Sequence, residues 1–344
     1  IPLRLVGSEM CIRDSILSIT DLITKDNFLH ISDYFTDVAM EVETIAENKD
    51  VVLGIETGFD LLNQATNGWQ KGNHIILAAR PGRGKTAFAL NLAANANLYK
   101  PCNVLIFSIE MTGIELTKRM IATKCQIDFG KVQRGTLEPH ERKILNDAYK
   151  DFQKLPIMVD DSTNTLRDII GSCRKRKKAG KPIDMIIIDY LQLIRHKASH
   201  NSNREQDVSE ISRELKSLAK EMKCPVISLA QLNRGIESRS DEPKLSDLRE
   251  SGSIEQDAEI VAFLHGQNTG RKDDAGIDII DLFLIIAKNR NGKTTKIKMK
   301  FAGEYQKWML YDDSSDNVQN NYFNPNAGFQ NQSKRYDTSD WRDD

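Results

Sequence analysis

The stretch Ala79-Arg80-Pro81-Gly82-Arg83-Gly84-Lys85-Thr86 constrains this chain more than any other. An apolar run, His74 to Ala79, leads into it, and a helical run, Ala87 to Ala96, leads out. Strand, glycine-rich loop and helix in that order point to an α/β sheet with an anion site at the start of the helix. Gly82 and Gly84 let the backbone turn tightly enough for its N–H groups to cradle a phosphate. Lys85 places a point charge between β- and γ-phosphates, Thr86 offers a hydroxyl to Mg²⁺, and the helix dipole adds to the same site. The turn formed by Arg80, Pro81, Gly82, Arg83, Gly84, Lys85, Thr86 and Ala87 is therefore expected to hold ATP or another nucleoside triphosphate. Ala79 stands where the G-x-x-x-x-G-K-[ST] pattern has its first glycine. The plainer alternative is a glycine-rich turn before a helix.

Further apolar runs extend the pattern. Strand candidates are His74 to Ala79, Val104 to Ile109, Ile157 to Val159, Met185 to Asp189, Val226 to Ala230, Glu259 to Leu264, Ile279 to Ala287 and Lys296 to Phe301. Helical stretches separate the early ones, which predicts a mostly parallel sheet covered on both faces. The last ones follow in quick succession, as antiparallel edge strands do. Between Glu115 and Phe152 a mostly helical insert is expected, opened by a Thr112–Glu115 capping box. The basic run Arg174, Lys175, Arg176, Lys177 and Lys178 reads as a solvated helix face rather than a DNA site.

Composition sets outer bounds. The 344 residues allow two or three domains, and a net charge of −1 means any nucleic-acid contact must come from local loops. The five cysteines are far apart with no C-x-x-C pair, which argues against a zinc module and for a reducing compartment. The most apolar stretch, Ile277 to Ala287, is too short to span a bilayer. Residues 1–15 lack periodicity and resemble translated adapter sequence. Residues 16–50 read as a linker whose apolar seam (Ile31, Phe35, Val38, Val42, Ile45) suits a helix docked either on a neighbour or on its own domain. Residues 51–312 form the main α/β domain. Residues 313–344, rich in Asn, Gln, Asp and Ser, read as a disordered tail that either solvates the chain or carries a binding peptide at its end.

Two carboxylates complement the phosphate loop. Asp189 ends the apolar strand Met185 to Asp189, where it can hold Mg²⁺ through water. Glu110 follows the strand Val104 to Ile109, at the edge where strand ends converge on a ligand, and is the candidate base. Its alternative is a helix-start carboxylate. Gln231, just after Val226 to Ala230, carries an amide suited to sensing a γ-phosphate.

GIETGF at Gly54 to Phe59, ARPGRGKT, FSIEM at Phe107 to Met111, IIIDYLQL at Ile186 to Leu193, AQLNR at Ala230 to Arg234, LSDLRESGSIEQDAE at Leu245 to Glu259 and AKNRNG at Ala287 to Gly292 together resemble the motor domain of replicative DNA helicases of the DnaB type. The match runs from about Asp26 to Leu310 and does not include that family's helical N-terminal domain, most of its linker, or a zinc-binding primase module.

The resemblance implies a RecA-like P-loop NTPase fold and a homohexameric ring with ATP and Mg²⁺ between subunits, translocating 5′ to 3′ on single-stranded DNA at forks. It also implies primase and a helicase loader as partners, no membrane, and a cytoplasmic location. By motif position it makes Lys85 and Thr86 phosphate and metal ligands, Glu110 the catalytic base, Asp189 the metal-associated carboxylate and Gln231 the γ-phosphate sensor. Lys288 and Arg290 become the pair reaching into a neighbour's site, with Arg290 as arginine finger. Arg249, Glu250, Ser251 and Gly252 become the loop holding the DNA backbone, Glu250 serving to orient a cation. Two other readings share the phosphate loop: a RecA-type strand-exchange protein, and an ATP-regulated scaffold indifferent to DNA.

Overall fold

The computed structural model describes residues 30–47, 52–98, 100–195, 204–233, 242–248, 252–272 and 278–311. The chain divides into two units, residues 1–51 and 52–344. In the first, a 3₁₀ turn (Ile31–Tyr34) runs into helix α1 (Phe35–Glu47), and none of their side chains is buried. The helix therefore starts several residues later than the apolar seam suggests. The His30 ring accepts the Ser32 N–H and the Asp33 carboxylate accepts the His30 N–H, so the entry to the turn is capped on both sides.

The second unit is built on a nine-stranded sheet. In chain order it contains α2 (Asp60–Thr66), β1 (His74–Ala79), α3 (Lys85–Asn95), β2 (Val104–Ser108), α4 (Gly113–Cys125), α5 (Phe129–Arg134), α6 (Pro139–Lys154), β3 (Ile157–Asp160), α7 (Leu166–Lys178), β4 (Met185–Asp189), α8 (Arg204–Met222), β5 (Val226–Gln231), α9 (Gly252–Asp257), β6 (Ile260–Lys272), β7 (Asp278–Asn289), β8 (Thr295–Ala302) and β9 (Lys307–Leu310). The strand order is β3-β2-β4-β5-β1-β6-β7-β8-β9. Pairings from β3 to β6 are parallel, and those from β6 to β9 are antiparallel.

The apolar strands β1, β4 and β5 are buried along their length, except for Gln231 at the end of β5, because helices cover both faces of the sheet. One apolar cluster, with Phe59, Leu62, Phe88, Leu92 and Trp308, fills one side, and a second, with Ile169, Ile211, Leu215 and Leu218, fills the other. The insert between β2 and β3 resolves into α4, α5 and α6, and the Thr112–Glu115 capping box closes as the sequence predicts. The basic run on α7 is largely exposed, although Arg174 pairs with Glu221 at 2.8 Å and Lys177 donates to the Glu221 carbonyl, tying α7 to α8. Strand β9 is an addition to the strands expected from sequence. Its four residues are too short to show a period.

Parallel strands put all their carboxyl ends at one edge, and the register fixes who meets whom there. Ala79 pairs with Gln231, and Ser108 with Asp189. At the amino edge, His74 pairs with Val226 and Ile260 with Asn289.

Candidate nucleotide site

The loop after β1 is shaped by two glycines in the left-handed region, Gly82 at φ +75° and Gly84 at φ +72°. A side chain at Gly82 would meet open space, so that position needs glycine for backbone conformation alone. Gly84 is also crowded, because a Cβ there would lie 3.1 Å from the rings of Phe301 and Trp308. Trp308 donates its indole N–H to the Gly84 carbonyl at 3.2 Å, and its ring packs at 4.9 Å on Phe301 and at 5.1 Å, edge-on, against Phe88 of α3. The phosphate loop is therefore braced from behind by strands β8 and β9. Arg80, Pro81 and Arg83 line the turn, Arg80 reaching the Leu232 carbonyl at 3.4 Å, and Ala87 is buried in the first turn of α3.

Lys85, Thr86 and Asp189 come together. The Thr86 hydroxyl donates to Asp189 Oδ2 at 2.6 Å, and Lys85 Nζ lies 3.7 Å from Asp189 Oδ1 and 4.4 Å from the centre of the Tyr190 ring. Asp189 is 2% exposed, and its buried Oδ1 has no hydrogen-bond partner. An unsatisfied buried carboxylate oxygen beside a threonine hydroxyl is a donor set suited to a hydrated Mg²⁺, so these residues fit the metal. Burial pulls the Lys85 ammonium below the usual lysine range, and the charges of Asp189 and Glu110 resist this.

Glu110 follows β2 in an exposed turn closed by a 2.6 Å bond from the Ser108 hydroxyl to the Met111 carbonyl. Partial burial, then the nearby Asp189 charge, raise its carboxyl above the usual range against the pull of Lys85 and Arg119. A carboxyl raised in this way is a stronger base than a free glutamate once ionised. Gln231 ends β5 beside the loop strand. Its backbone is gripped on both sides by Gln192, which accepts its N–H at 3.1 Å and donates to its carbonyl at 3.2 Å.

Lys288 and Arg290 lie elsewhere. Lys288 pairs with Val261 and the neighbouring Asn289 with Ile260, at the amino edge. Strands rise about 3.3 Å per residue, so the length of β1 alone separates them from the phosphate loop of their own chain by roughly 17 Å. Lys288 donates to the carbonyls of Glu255 and Gln256, and Arg290 to Gln256 at 3.1 Å. Of the candidate DNA loop, Arg249, Glu250 and Ser251 lie outside the described residues, and Gly252 opens α9. The segment leading into it is anchored by a bridge between Leu248 and Leu232 and by a 3.1 Å bond from the Asn233 N–H to the Asp247 carbonyl.

Sequence reasoning did not single out Arg119, Trp308 or Gln192. The Arg119 guanidinium on α4 lies near enough to feel Asp189 and Glu110; it donates to Gln306 and sits 4.9 Å over the Phe129 ring. Gln192 lay inside the IIIDYLQL motif, which was a usable signal. Nothing local marks Arg119 or Trp308. Among the described residues, no helix is long and apolar enough to cross a membrane, and no group of His, Cys, Asp and Glu is clustered as a metal cage.

The fold and much of the sequence are shared with known proteins. Residues 54–309 match the DnaB-like helicase C terminal domain. The chain is 41% identical over 294 residues to the replicative DNA helicase DnaB of Geobacillus stearothermophilus, covering 85% of this chain and 64% of that protein. The chain thus spans about two-thirds, strictly 64%, of that relative's length. Among solved structures, an isolated ATPase domain superposes with a TM-score of 0.74 at 33% identity, over 83% of this chain and all (100%) of that one. A DnaB-like replicative helicase described with its interactions with primase gives a TM-score of 0.71 at 32% identity, over 88% of this chain and 72% of that one.

Proposed function

The chain belongs to the DnaB-like helicase C-terminal domain family, and on that footing we propose that it is the motor of a replicative DNA helicase, hydrolysing ATP to drive itself along single-stranded DNA. The observation that carries this reading is the split between the two sheet edges. Lys85, Thr86, Asp189 and Glu110 converge at the carboxyl edge, whereas Lys288 and Arg290 face away at the amino edge. A site divided in this way is completed when one subunit's amino edge meets the next subunit's carboxyl edge. Repeating that head-to-tail contact closes a ring, here a homohexamer.

In this mechanism the loop N–H groups and Lys85 bind the triphosphate. Thr86 and Asp189 would hold Mg²⁺, which when bound neutralises charge on the β- and γ-phosphate oxygens. Glu110 accepts a proton from the water that attacks the γ-phosphorus. A neighbour's Arg290 and Lys288 stabilise charge spreading over the transferred phosphoryl, an effect worth about 10³ to 10⁵ in rate in comparable systems. Gln231 hydrogen-bonds the γ-phosphate and loses that partner when phosphate leaves. Because β5 runs directly into the Leu232–Leu248 bridge, this loss is transmitted to the segment preceding Arg249. Arg249 and the N–H groups near Gly252 hold DNA phosphates, and Glu250 orients Arg249; such contacts ignore sequence, as a translocating motor requires. Primase, a helicase loader and a cytoplasmic site of action follow from the same family reading.

The test is ATP-dependent unwinding of forked DNA with a 5′ or a 3′ single-stranded tail, with Lys85→Ala as control. Unwinding that requires the 5′ tail is expected. Dependence on the 3′ tail would overturn the polarity, and hydrolysis indifferent to single-stranded DNA would overturn the motor reading.

A further inference from the structure

At the amino edge, Glu259 is the centre of a set of contacts that the hydrolysis reaction does not use. Its Oε2 accepts the backbone N–H of His74, the first residue of β1, at 2.9 Å, and its own N–H returns a bond to the His74 carbonyl at 2.9 Å. On the other side, its carbonyl accepts the Arg290 N–H at 3.0 Å, and Oε1 lies 2.9 Å from Lys216 Nζ and 3.7 Å from the Arg290 guanidinium. Backbone and side chain of Glu259 therefore grip both β1 and Arg290.

The Glu259 side chain is 11% exposed, so its charge is tolerable only because it is paired. Burial alone would raise its carboxyl, but the His74 N–H and Lys216 outweigh that and hold it below the usual range. Arg290 is half exposed. Its other bond, and those of Lys288, run to the last carbonyls of α9, where a helix carries partial negative charge. Lys216 ties α8 to the same place by donating to the Asp257 carbonyl at 2.9 Å. An arginine held only by its own stem would sample many rotamers, whereas this guanidinium is held between the Gln256 carbonyl and the Glu259 carboxylate, and its backbone N–H by the Glu259 carbonyl.

We propose that Glu259 is a positioning residue for Arg290 and Lys288, anchoring their turn to the amino end of β1 so that both cations are presented to a neighbouring subunit's γ-phosphate. The proposal rests on the trans-acting reading of that pair. Because Glu259 acts on a group supplied to the next subunit, its loss damages the neighbour's site and leaves its own nucleotide site intact.

Intersubunit complementation tests this. Glu259→Gln keeps the size and an acceptor for the His74 N–H but removes the charge facing Lys216 and Arg290. Turnover should fall by about tenfold or more with the KM for ATP changed by no more than about twofold. Mixing it with Lys85→Ala should restore turnover above either alone, since the Lys85→Ala subunit still supplies a well-held Arg290. Glu259→Asp, which keeps the charge but withdraws it by one methylene, should show a smaller loss of the same kind and serves as the readout if the glutamine variant unfolds. Arg290→Ala mixed with Lys85→Ala is the control. Restoration there but not with the Glu259 variant, or full turnover of Glu259→Gln alone, would overturn the positioning role. Failure of the Arg290 mixture would bring down the trans-acting reading, and this proposal with it.

Discussion

Glu110 shows how a site is tuned one side chain at a time. Its carboxyl is lifted first by burial and then by the Asp189 charge, while Lys85 and Arg119 limit the rise. The protonated form therefore persists to higher pH than in a free glutamate, whose value is about 4.3. If Glu110 is the base, hydrolysis is lost as pH falls through that raised value, and the acid limb of the rate profile lies above the range of an unperturbed carboxylate. Glu110→Gln should lower single-turnover hydrolysis by about 10² to 10⁴ and abolish the limb, with fluorescent-nucleotide binding retained. A variant that keeps the limb would assign it to another group. Lys85 has the opposite bias, its ammonium pulled down by burial and in need of an anion, which is what a triphosphate supplies.

At the scale of elements, the phosphate loop depends on strands that lie more than two hundred residues further along the chain. The stack of Phe59 on Phe88 at 5.4 Å continues through Trp308 to Phe301, so α3, β8 and β9 share one aromatic layer beneath the loop. Trp308 is 3% exposed, and removing such a ring leaves a cavity that protein interiors do not close. Trp308→Ala should destabilise the domain by about 3–5 kcal/mol and weaken nucleotide binding together with it. Trp308→Phe, which keeps a ring but loses the bond to the Gly84 carbonyl, should cost about 1 kcal/mol from that bond. Chemical denaturation with and without nucleotide separates the two effects. Unchanged nucleotide affinity in Trp308→Ala would show that the brace supports the fold alone.

For the whole molecule, the proposed mechanism uses both edges of the sheet. One carries Lys85, Thr86, Asp189 and Glu110; the other carries Lys288, Arg290 and Glu259. If each active site is shared, a lone chain contains two halves that cannot meet. Turnover per chain should then fall on dilution and rise to a plateau with concentration, in step with assembly measured by sedimentation. Constant turnover per chain through a range in which the protein is monomeric would mean that each chain hydrolyses ATP without a neighbour.

Much of this was legible in the chain itself. The strand, loop and helix around Lys85, the apolar strand ending in Asp189, the capping box at Thr112 and the antiparallel run of late strands are local patterns. Residue spacing and turn chemistry determine them before any long-range contact forms. The position of Glu110 at the end of an apolar run was equally plain. What the tertiary structure decided depends on strand order and register. Ser108 meets Asp189, Gln192 clamps Gln231, Trp308 closes on Gly84, and Glu259 joins His74 to Arg290 across separations from 31 to 224 residues. No local period encodes such pairings. They arise because packing brings together side chains that the sequence keeps apart, and a strand as short as β9 gains its meaning only from the ring it delivers.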